Sequence, residues 1–246
     1  MTISQNAQSD NALDIVLLSS NFNDRAEFIS KVNELTLHIF SLEPFSRNKS
    51  KINIYAVFVT SSLRCRYDQQ IDRYLRCDWS LATTAASRCA SFDRALVLHR
   101  EDRYGGAGQF WGQLSASYCG TYTSNSGNVY NSLWKDVAVH ELAHTLGLVD
   151  EYVVNQNESA TSIEQWLQSR GRPIPPYMQS GSVPWNCSTS NCSEWSSFTN
   201  IECTKGCSLN DWYRAKEKNS MMYDVLGGFS APAENMVEKA IKYFSG

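Results

Sequence analysis

The chain has 246 residues, of which 42% are hydrophobic, with a formal net charge of −3 and a pI near 5.8. This length can bury a substantial core, either as one domain or as two lobes that flank a cleft. The mildly acidic balance lacks the basic field that nucleic acid or anionic lipid requires, so neither is an expected partner. No apolar run approaches the roughly 18 residues of a membrane span, and residues 1–11 contain no signal-peptide core.

Three short runs in the first hundred residues are predicted to be strands. They are rich in β-branched, aromatic and other apolar residues and cover residues 14–20, 52–60 and 94–99. After the first run, apolar side chains recur at helical spacing until Pro44, and Asn23 or Asp24 can cap this helix. The opening is therefore predicted to be β-α-β.

The segments around the third strand are less regular. Residues 65–89 are expected to form an insertion with a short helix. The glycine-rich residues 104–108 lack a P-loop lysine, so the alternatives are a turn and a close approach of substrate backbone at the border of a cleft. Residues 115–124 are predicted to form an edge strand. Asn131 or Ser132 can then cap the next helix.

Beyond residue 150 the sequence predicts few regular elements. Residues 155–182 are polar and contain several prolines, which indicates loops with one helical stretch near Trp166. Residues 184–207 are too irregular for a prediction. Pro232 is expected to start a C-terminal helix with one apolar side.

The cysteines are numerous for this length and fall mainly in loop-like sequence. They are Cys65, Cys77, Cys89, Cys119, Cys187, Cys192, Cys203 and Cys207. An even, dense set predicts disulfides and export, with any signal peptide already removed. Proximity suggests pairing Cys187 with Cys192 and Cys203 with Cys207. A structural zinc held by these four thiolates is the alternative, which their spacing disfavours.

Residues 140–150, with the sequence H-E-L-A-H-T-L-G-L-V-D, carry the strongest chemical signal. His140 and His144 are four positions apart, so on a helix their imidazoles project from one face and can hold one zinc ion. Zinc with an open position lowers the pKa of bound water to about 7, and Glu141 is placed to take its proton. The motif therefore predicts a zinc hydrolase.

A catalytic zinc needs a third protein ligand, and the sequence offers several carboxylates. In metzincins a glycine turns the chain after the helix, and the residue six positions beyond the second histidine reaches the metal. Here Gly147 and Asp150 occupy those two positions. Glu164 fits the thermolysin-like spacing and Glu151 is adjacent to Asp150, so both remain alternatives. The glycine, and a methionine segment at 220–223 resembling the metzincin methionine turn, favour Asp150.

Five segments form a wider pattern: D-I-V-L-L-S-S (14–20), E-P-F (43–45), D-R-Y-G-G-A-G (102–108), H-E-L-A-H-T-L-G-L-V-D-E-Y (140–152) and N-S-M-M-Y (219–223). Through them the sequence resembles the IgA peptidase family of zinc metallopeptidases over about residues 14–225. The resemblance implies a secreted, zinc-dependent endopeptidase of metzincin-like fold. It also implies zinc ligands at His140, His144 and Asp150 and a general base at Glu141. Ala143 departs from the family, which usually has glycine there.

Tyrosines near the motif are candidates to stabilise the oxyanion that forms when water attacks a peptide carbonyl. Tyr152, Tyr213 and Tyr223 are the candidates, and Tyr223 is preferred because it adjoins the methionine segment. Met221 and Met222 are expected to pack beneath the site rather than to bind metal.

Taken together, these patterns predict an α+β, metzincin-like fold that forms one catalytic domain. Residues 1–147 are expected to form an N-terminal lobe with a twisted mixed sheet and the metal-carrying helix. Residues 148–246 are expected to form an irregular, disulfide-braced lobe closed by a terminal helix. The expected activity is that of a secreted endopeptidase with one catalytic Zn²⁺, acting on a protein or peptide bound along a sheet edge. A secreted binding protein with an inactive or structural zinc site and a zinc amidohydrolase are the alternatives.

Overall fold

The computed structural model describes residues 1–89, 91–179, 183–198, 201–216 and 220–246. Asn219, the first residue of the last quoted segment, lies outside these ranges. The helices are α1 (Arg25–Ile39), α2 (Trp79–Ala86), α3 (Leu133–Thr145), α4 (Ile163–Ser169) and α5 (Ala231–Ser245). The strands are β1 (Thr2–Ser4), β2 (Leu13–Ser20), β3 (Ile52–Val57), β4 (Arg66–Tyr67), β5 (Leu75–Arg76), β6 (Arg94–His99), β7 (Gly106–Gly108), β8 (Leu114–Tyr118), β9 (Tyr122–Thr123), β10 (Val129–Tyr130), β11 (Val153–Asn155) and β12 (Cys203–Ala215).

A six-stranded mixed sheet with the order β1-β3-β2-β6-β8-β7 forms the centre of the α+β fold. Strands β3, β2, β6 and β8 are parallel, while β1 and β7 pair antiparallel at the two edges. Along β2, Ile15 and Leu17 join the core packed against α1, α3 and α5, whereas Val16 and Leu18 join the core packed against α2. The strand is therefore apolar throughout because helices cover both of its faces.

Local signals in the sequence correctly predicted the main helices. Asp24 caps α1, where its carboxylate accepts hydrogen bonds from the N–H groups of Ala26 and Glu27. A short helix lies in the 65–89 insertion, α4 contains Trp166, and α5 begins beside Pro232. Ser132 occupies the position before α3, but its side chain makes no capping hydrogen bond to the described residues of this helix.

The prediction of an edge strand at residues 115–124 was wrong. Strand β8 lies between β6 and β7, and the edge is formed by the glycine-rich β7. Ser115 and Ser117 are fully buried there, where α3 crosses the sheet. Their small size lets the helix approach the sheet closely, and the Ser117 hydroxyl donates a hydrogen bond to the Trp134 carbonyl of α3 at 3.4 Å.

Three disulfides are present: Cys65–Cys77, Cys187–Cys207 and Cys192–Cys203. The pairings suggested by proximity, Cys187 with Cys192 and Cys203 with Cys207, were therefore wrong, and so was the four-thiolate zinc site. The reason is β12, which the sequence did not reveal. It begins at Cys203 and pairs antiparallel with Ser188 through Tyr213, so each cysteine faces a distant partner. Cys89 and Cys119 are free thiols.

The core continues across the expected lobe boundary. One hydrophobic cluster contains residues of β2, α1 and α3 together with Trp212, Met222 and residues of α5. Because this cluster is shared by both expected lobes, the boundary between them at Gly147 stays a prediction. Among the described residues, no helix has the length and apolar character needed to cross a bilayer.

Candidate metal centre

Helix α3 presents its functional side chains to a cleft beside β7. The helix is apolar over most of its surface because it packs against β8 and β7. Gly106 and Gly108 make this contact possible. A Cβ atom on Gly106 would lie 2.5 Å from Glu141 Oε1, and one on Gly108 would clash with the Glu141 carbonyl. The glycine-rich segment thus brings the edge strand directly against Glu141.

Gly147 ends α3 in the left-handed conformation that a glycine adopts without strain, with a φ of +97°. Its N–H donates to the His144 carbonyl, and the Leu148 N–H donates to the Ala143 carbonyl. A Cβ atom here would lie 2.8 Å from the Tyr177 hydroxyl, so both the angle and the space require glycine. The turn brings Asp150 back towards the two histidines.

Three side-chain atoms converge on one point at the cleft floor. Asp150 Oδ1 lies 3.2 Å from His140 Nε2 and 3.4 Å from His144 Nε2. A tetrahedral zinc with bonds of about 2.0 to 2.1 Å places its ligands roughly 3.3 to 3.4 Å apart. Glu141 lies alongside, because the donor atoms of His140, Glu141 and His144 are within 4.8 Å of one another. The spacing therefore fits a cation bound by two imidazoles and one carboxylate.

The hydrogen bonds of the histidines set which nitrogen faces that point. His140 Nδ1 donates to the Met221 carbonyl at 2.8 Å, and His144 Nδ1 donates to the Leu148 carbonyl at 2.9 Å. In a neutral imidazole this leaves a lone pair on each Nε2. Asp150 Oδ1 is buried, and among the residues that the structure describes it has no hydrogen-bond donor of good geometry. Three acceptors facing each other are mutually repulsive unless a cation lies between them.

The pKa values show the same preference for positive charge. Burial lowers the pKa of His144, but the charges of Asp150 and Glu141 outweigh this and raise it to about 9. Burial raises the pKa of Asp150, yet the two imidazoles hold it well below its usual range. Burial raises the pKa of Glu141 and the same imidazoles only partly oppose this. The point between His140, His144 and Asp150 thus favours a cation. The raised pKa of Glu141 makes it a stronger base than an exposed glutamate.

The two alternative carboxylates are engaged elsewhere. Glu151 is fully buried and accepts hydrogen bonds from Ser220 Oγ at 2.6 Å and Ser230 Oγ at 2.8 Å. Glu164 accepts a hydrogen bond from the indole N–H of Trp185 and does not line the cleft. Neither is placed to meet the histidines.

The candidate tyrosines separate into two groups. Tyr152 and Tyr223 line the cleft, whereas Tyr213 lies outside it, on β12 beside Ser188. The ring of Tyr152 lies parallel to that of His140 with 6.5 Å between centroids. Met221 and Met222 are fully buried beneath the site, as expected.

The cleft has a volume of about 510 Å³ and contains side chains that the sequence did not single out. Arg73 enters from the hairpin of β4 and β5, which the Cys65–Cys77 disulfide closes. Arg172 enters from the end of α4. Both are far from the histidine motif in sequence and belong to no recognisable pattern, so only the fold brings them to the cleft.

Comparisons with known proteins agree with the motif. The family model described as IgA Peptidase M64 matches residues 1–171, and the chain belongs to this family of metallopeptidases. With its H-E-x-x-H group, the protein is a zinc metallopeptidase with the metzincin-like order of helix, glycine turn and methionine segment.

Among solved structures, the chain is similar to archaemetzincin from Methanopyrus kandleri. The two are 17% identical, the match covers 57% of this chain and 76% of the other, and the TM-score is 0.39. A comparison with curated proteins finds no match.

Proposed function

We propose that this protein is a secreted zinc endopeptidase that cuts extended peptides in the cleft beside β7. The observation that carries the proposal is the convergence of Asp150 Oδ1 on His140 Nε2 and His144 Nε2, at 3.2 and 3.4 Å, with Glu141 adjacent. The three disulfides support export, because such bonds persist in oxidising compartments.

His140, His144 and Asp150 would hold the zinc ion as its three protein ligands. Bound zinc supplies polarisation of the scissile carbonyl and a water molecule of lowered pKa. Glu141 takes the proton from the attacking water and returns it to the leaving amine. Tyr223, which lines the same cleft, donates a hydrogen bond from its hydroxyl to the oxygen that gains negative charge.

Substrate backbone would pair with the outer edge of β7. Gln109 N–H donates to the Leu114 carbonyl and Tyr118 N–H donates to the Gly105 carbonyl, so the alternate residues 106 and 108 face away from β8. The Gly106 N–H already donates to the Arg73 carbonyl at 3.0 Å. The edge at Gly108 is therefore the part left for a peptide, which can add to it by β-augmentation.

Three variants test the proposal. Glu141→Ala should keep stoichiometric zinc and lose at least about 10²-fold in turnover, because it removes only the general base. Asp150→Ala should lose zinc, whereas Glu164→Ala, the matched control, should keep both zinc and activity. Zinc content is measured by metal analysis of the dialysed proteins, and activity by sequencing new N-termini in a digested proteome.

The outcomes separate this function from its alternatives. Wild-type turnover in Glu141→Ala would refute the mechanism. Zinc retention in Asp150→Ala with zinc loss in Glu164→Ala would refute the ligand set. A zinc-loaded wild type that produces no new N-termini would instead indicate a binding protein or an amidohydrolase.

A further inference from the structure

A side cavity next to the histidines is lined by the guanidinium of Arg172. The cavity measures about 250 Å³, opens beside His144 and Asp150, and has aromatic walls from Phe110 and Trp166. Arg172 lines both this cavity and the main cleft. Within the described parts of the chain, Arg172 forms no ion pair, whereas its neighbour Arg170 is paired with Glu158.

The backbone and the aromatic walls fix Arg172 at the mouth of this cavity. Helix α4 ends in a Schellman motif, in which Gly171 has a φ of +62° and the Arg172 N–H donates to the Leu167 carbonyl at 2.9 Å. The guanidinium carbon lies 5.7 Å from the ring centre of Trp166 and 5.9 Å from that of Phe110. Trp166 is itself rigid, being only 5% exposed and hydrogen-bonded to Glu158.

The groups around the cavity offset the positive charge of Arg172 only in part. Burial and the neighbouring Arg170 lower the pKa of Arg172, and the charges of Asp150 and Tyr74 oppose this. Asp150 and Glu141 face the metal position, where a bound divalent cation would offset their two negative charges. The remaining acid of the cleft, Asp224, follows Tyr223 in the methionine segment. Arg172 is itself exposed, and its always charged guanidinium is therefore presented to whatever enters the cavity.

We infer that Arg172 makes this side cavity a pocket for a carboxylate of the peptide substrate. Arginine binds carboxylates through two parallel hydrogen bonds, and the walls of Phe110 and Trp166 suit the methylene groups that carry the acid. Because the cavity adjoins His144 and Asp150, the peptide bond that is cut lies close to the bound acid. This inference deepens the proposed peptidase function and rests on it for the identity of the substrate.

The carboxylate can belong to an Asp or Glu side chain or to the C-terminus of the peptide. Cleavage sites in a denatured proteome distinguish these sources, because the first gives internal cuts at a fixed distance from an acidic residue. The second gives release of short fragments from chain ends.

The wild type should show one of these two preferences. Arg172→Gln should lose it, and Arg172→Glu should replace it with a preference for Lys and Arg. Arg88→Gln, at an exposed arginine outside the cleft, should behave as the wild type.

A binding experiment gives a readout that does not depend on turnover. Zinc-loaded Glu141→Ala protein is titrated calorimetrically with acetyl-Ala-Ala-Glu-Ala-Ala-amide and with the same peptide carrying Gln. Acetyl-pentaalanine is compared as free acid and as amide. One acidic peptide should bind about tenfold more tightly than its neutral counterpart, since hydrogen bonds to charged groups have roughly this effect. The added Arg172→Gln substitution should abolish the difference, and added Arg88→Gln should preserve it.

These outcomes keep the two claims apart. A wild type that makes no cuts but binds an acidic peptide through Arg172 refutes the peptidase and leaves the carboxylate pocket standing. Cuts without acidic preference, equal binding of acidic and neutral peptides, or a preference that survives Arg172→Gln overturns the pocket and leaves the peptidase standing.

Discussion

At the scale of single residues, the two tyrosines of the cleft differ in their surroundings. Tyr152 is half-buried, its ring lies nearly parallel to that of His140, and burial together with the charge of Asp150 raises its pKa. Tyr223 is 40% exposed, and the guanidinium carbon of Arg214 lies 3.7 Å from its ring centre. These surroundings favour a role for Tyr152 in supporting the metal position and a role for Tyr223 in contacting substrate.

The Tyr223→Phe variant tests this division. Removal of the hydroxyl should lower kcat by about 10²-fold, as loss of an oxyanion donor does, and leave zinc affinity unchanged. Tyr152→Phe is the matched comparison and should weaken zinc, because the Asp150 carboxylate loses the neighbouring phenol hydroxyl. Steady-state kinetics on a peptide substrate and competition with a chelator measure both effects. A kcat within twofold of the wild type would exclude Tyr223 from this role.

At the scale of elements, the buried carboxylate of Glu151 joins three segments that surround the metal position. It accepts hydrogen bonds from Ser220 before the methionines, Ser230 at the start of α5, and Asn186 at 3.4 Å. Its own N–H donates to the Met222 carbonyl at 2.8 Å. Since the neighbouring Met221 carbonyl holds His140, Glu151 connects the stability of this region to the orientation of a proposed ligand.

Glu151→Gln should therefore lower stability and zinc affinity together. The amide replaces one accepting oxygen with a donor, and an unsatisfied buried polar group costs about 1 to 3 kcal/mol. Glu34→Gln, which alters only a partly exposed pair with Lys31, is the control and should change stability by less than about 1 kcal/mol. Urea unfolding and chelator competition are the measurements. A Glu151→Gln midpoint equal to that of the control would contradict the proposed connection.

Elements with strong local signals were predictable, and those defined by distant contacts were not. Helix α1 has both an apolar period and the Asp24 cap, so its sequence alone specifies it. Strand β12 mixes charged, polar and aromatic residues over thirteen positions and shows no period of two. Its partners are β11 and residue Ser188, which lie elsewhere in the chain. Such a strand is stabilised by pairing rather than by a pattern of its own.

At the scale of the whole molecule, the same limit applies to the site. The spacing from His140 to Asp150 predicts that these two side chains meet, and in the structure they do. The sequence was sufficient here because one helix and one glycine turn, both local structures, bring them together. The guanidiniums of Arg73 and Arg172 come from two segments that are distant in sequence. Their place at the cleft could therefore be recognised only from the folded structure. Arg94 illustrates how such segments are joined. Its buried side chain donates to the Thr145 carbonyl of α3 at 2.7 Å and packs 4.4 Å from the ring of Phe244 in α5.

The disulfide Cys187–Cys207 connects the C-terminal half to the metal position more directly than the other two. Its sulfur atoms lie 3.6 and 3.9 Å from the Asp150 carbonyl oxygen, which accepts a hydrogen bond from Ser208 Oγ at 2.6 Å. Cys65–Cys77 instead closes the hairpin that carries Arg73. The two bonds are separated by 20 and 12 residues along the chain, so they constrain the unfolded chain to a similar degree.

Replacing each disulfide by two alanines should therefore give similar losses of stability and different losses of function. Each pair should cost about 3 kcal/mol of unfolding free energy, mainly through the entropy of the unfolded chain. Only Cys187→Ala/Cys207→Ala should weaken zinc binding, because it loosens the backbone of Asp150. Cys65→Ala/Cys77→Ala should keep zinc and raise KM, since the hairpin that borders the cleft becomes less ordered. Urea unfolding, chelator competition and peptide kinetics provide the three measurements. Equal zinc affinity in the two double variants would show that the disulfide beneath Asp150 does not hold the ligand in place.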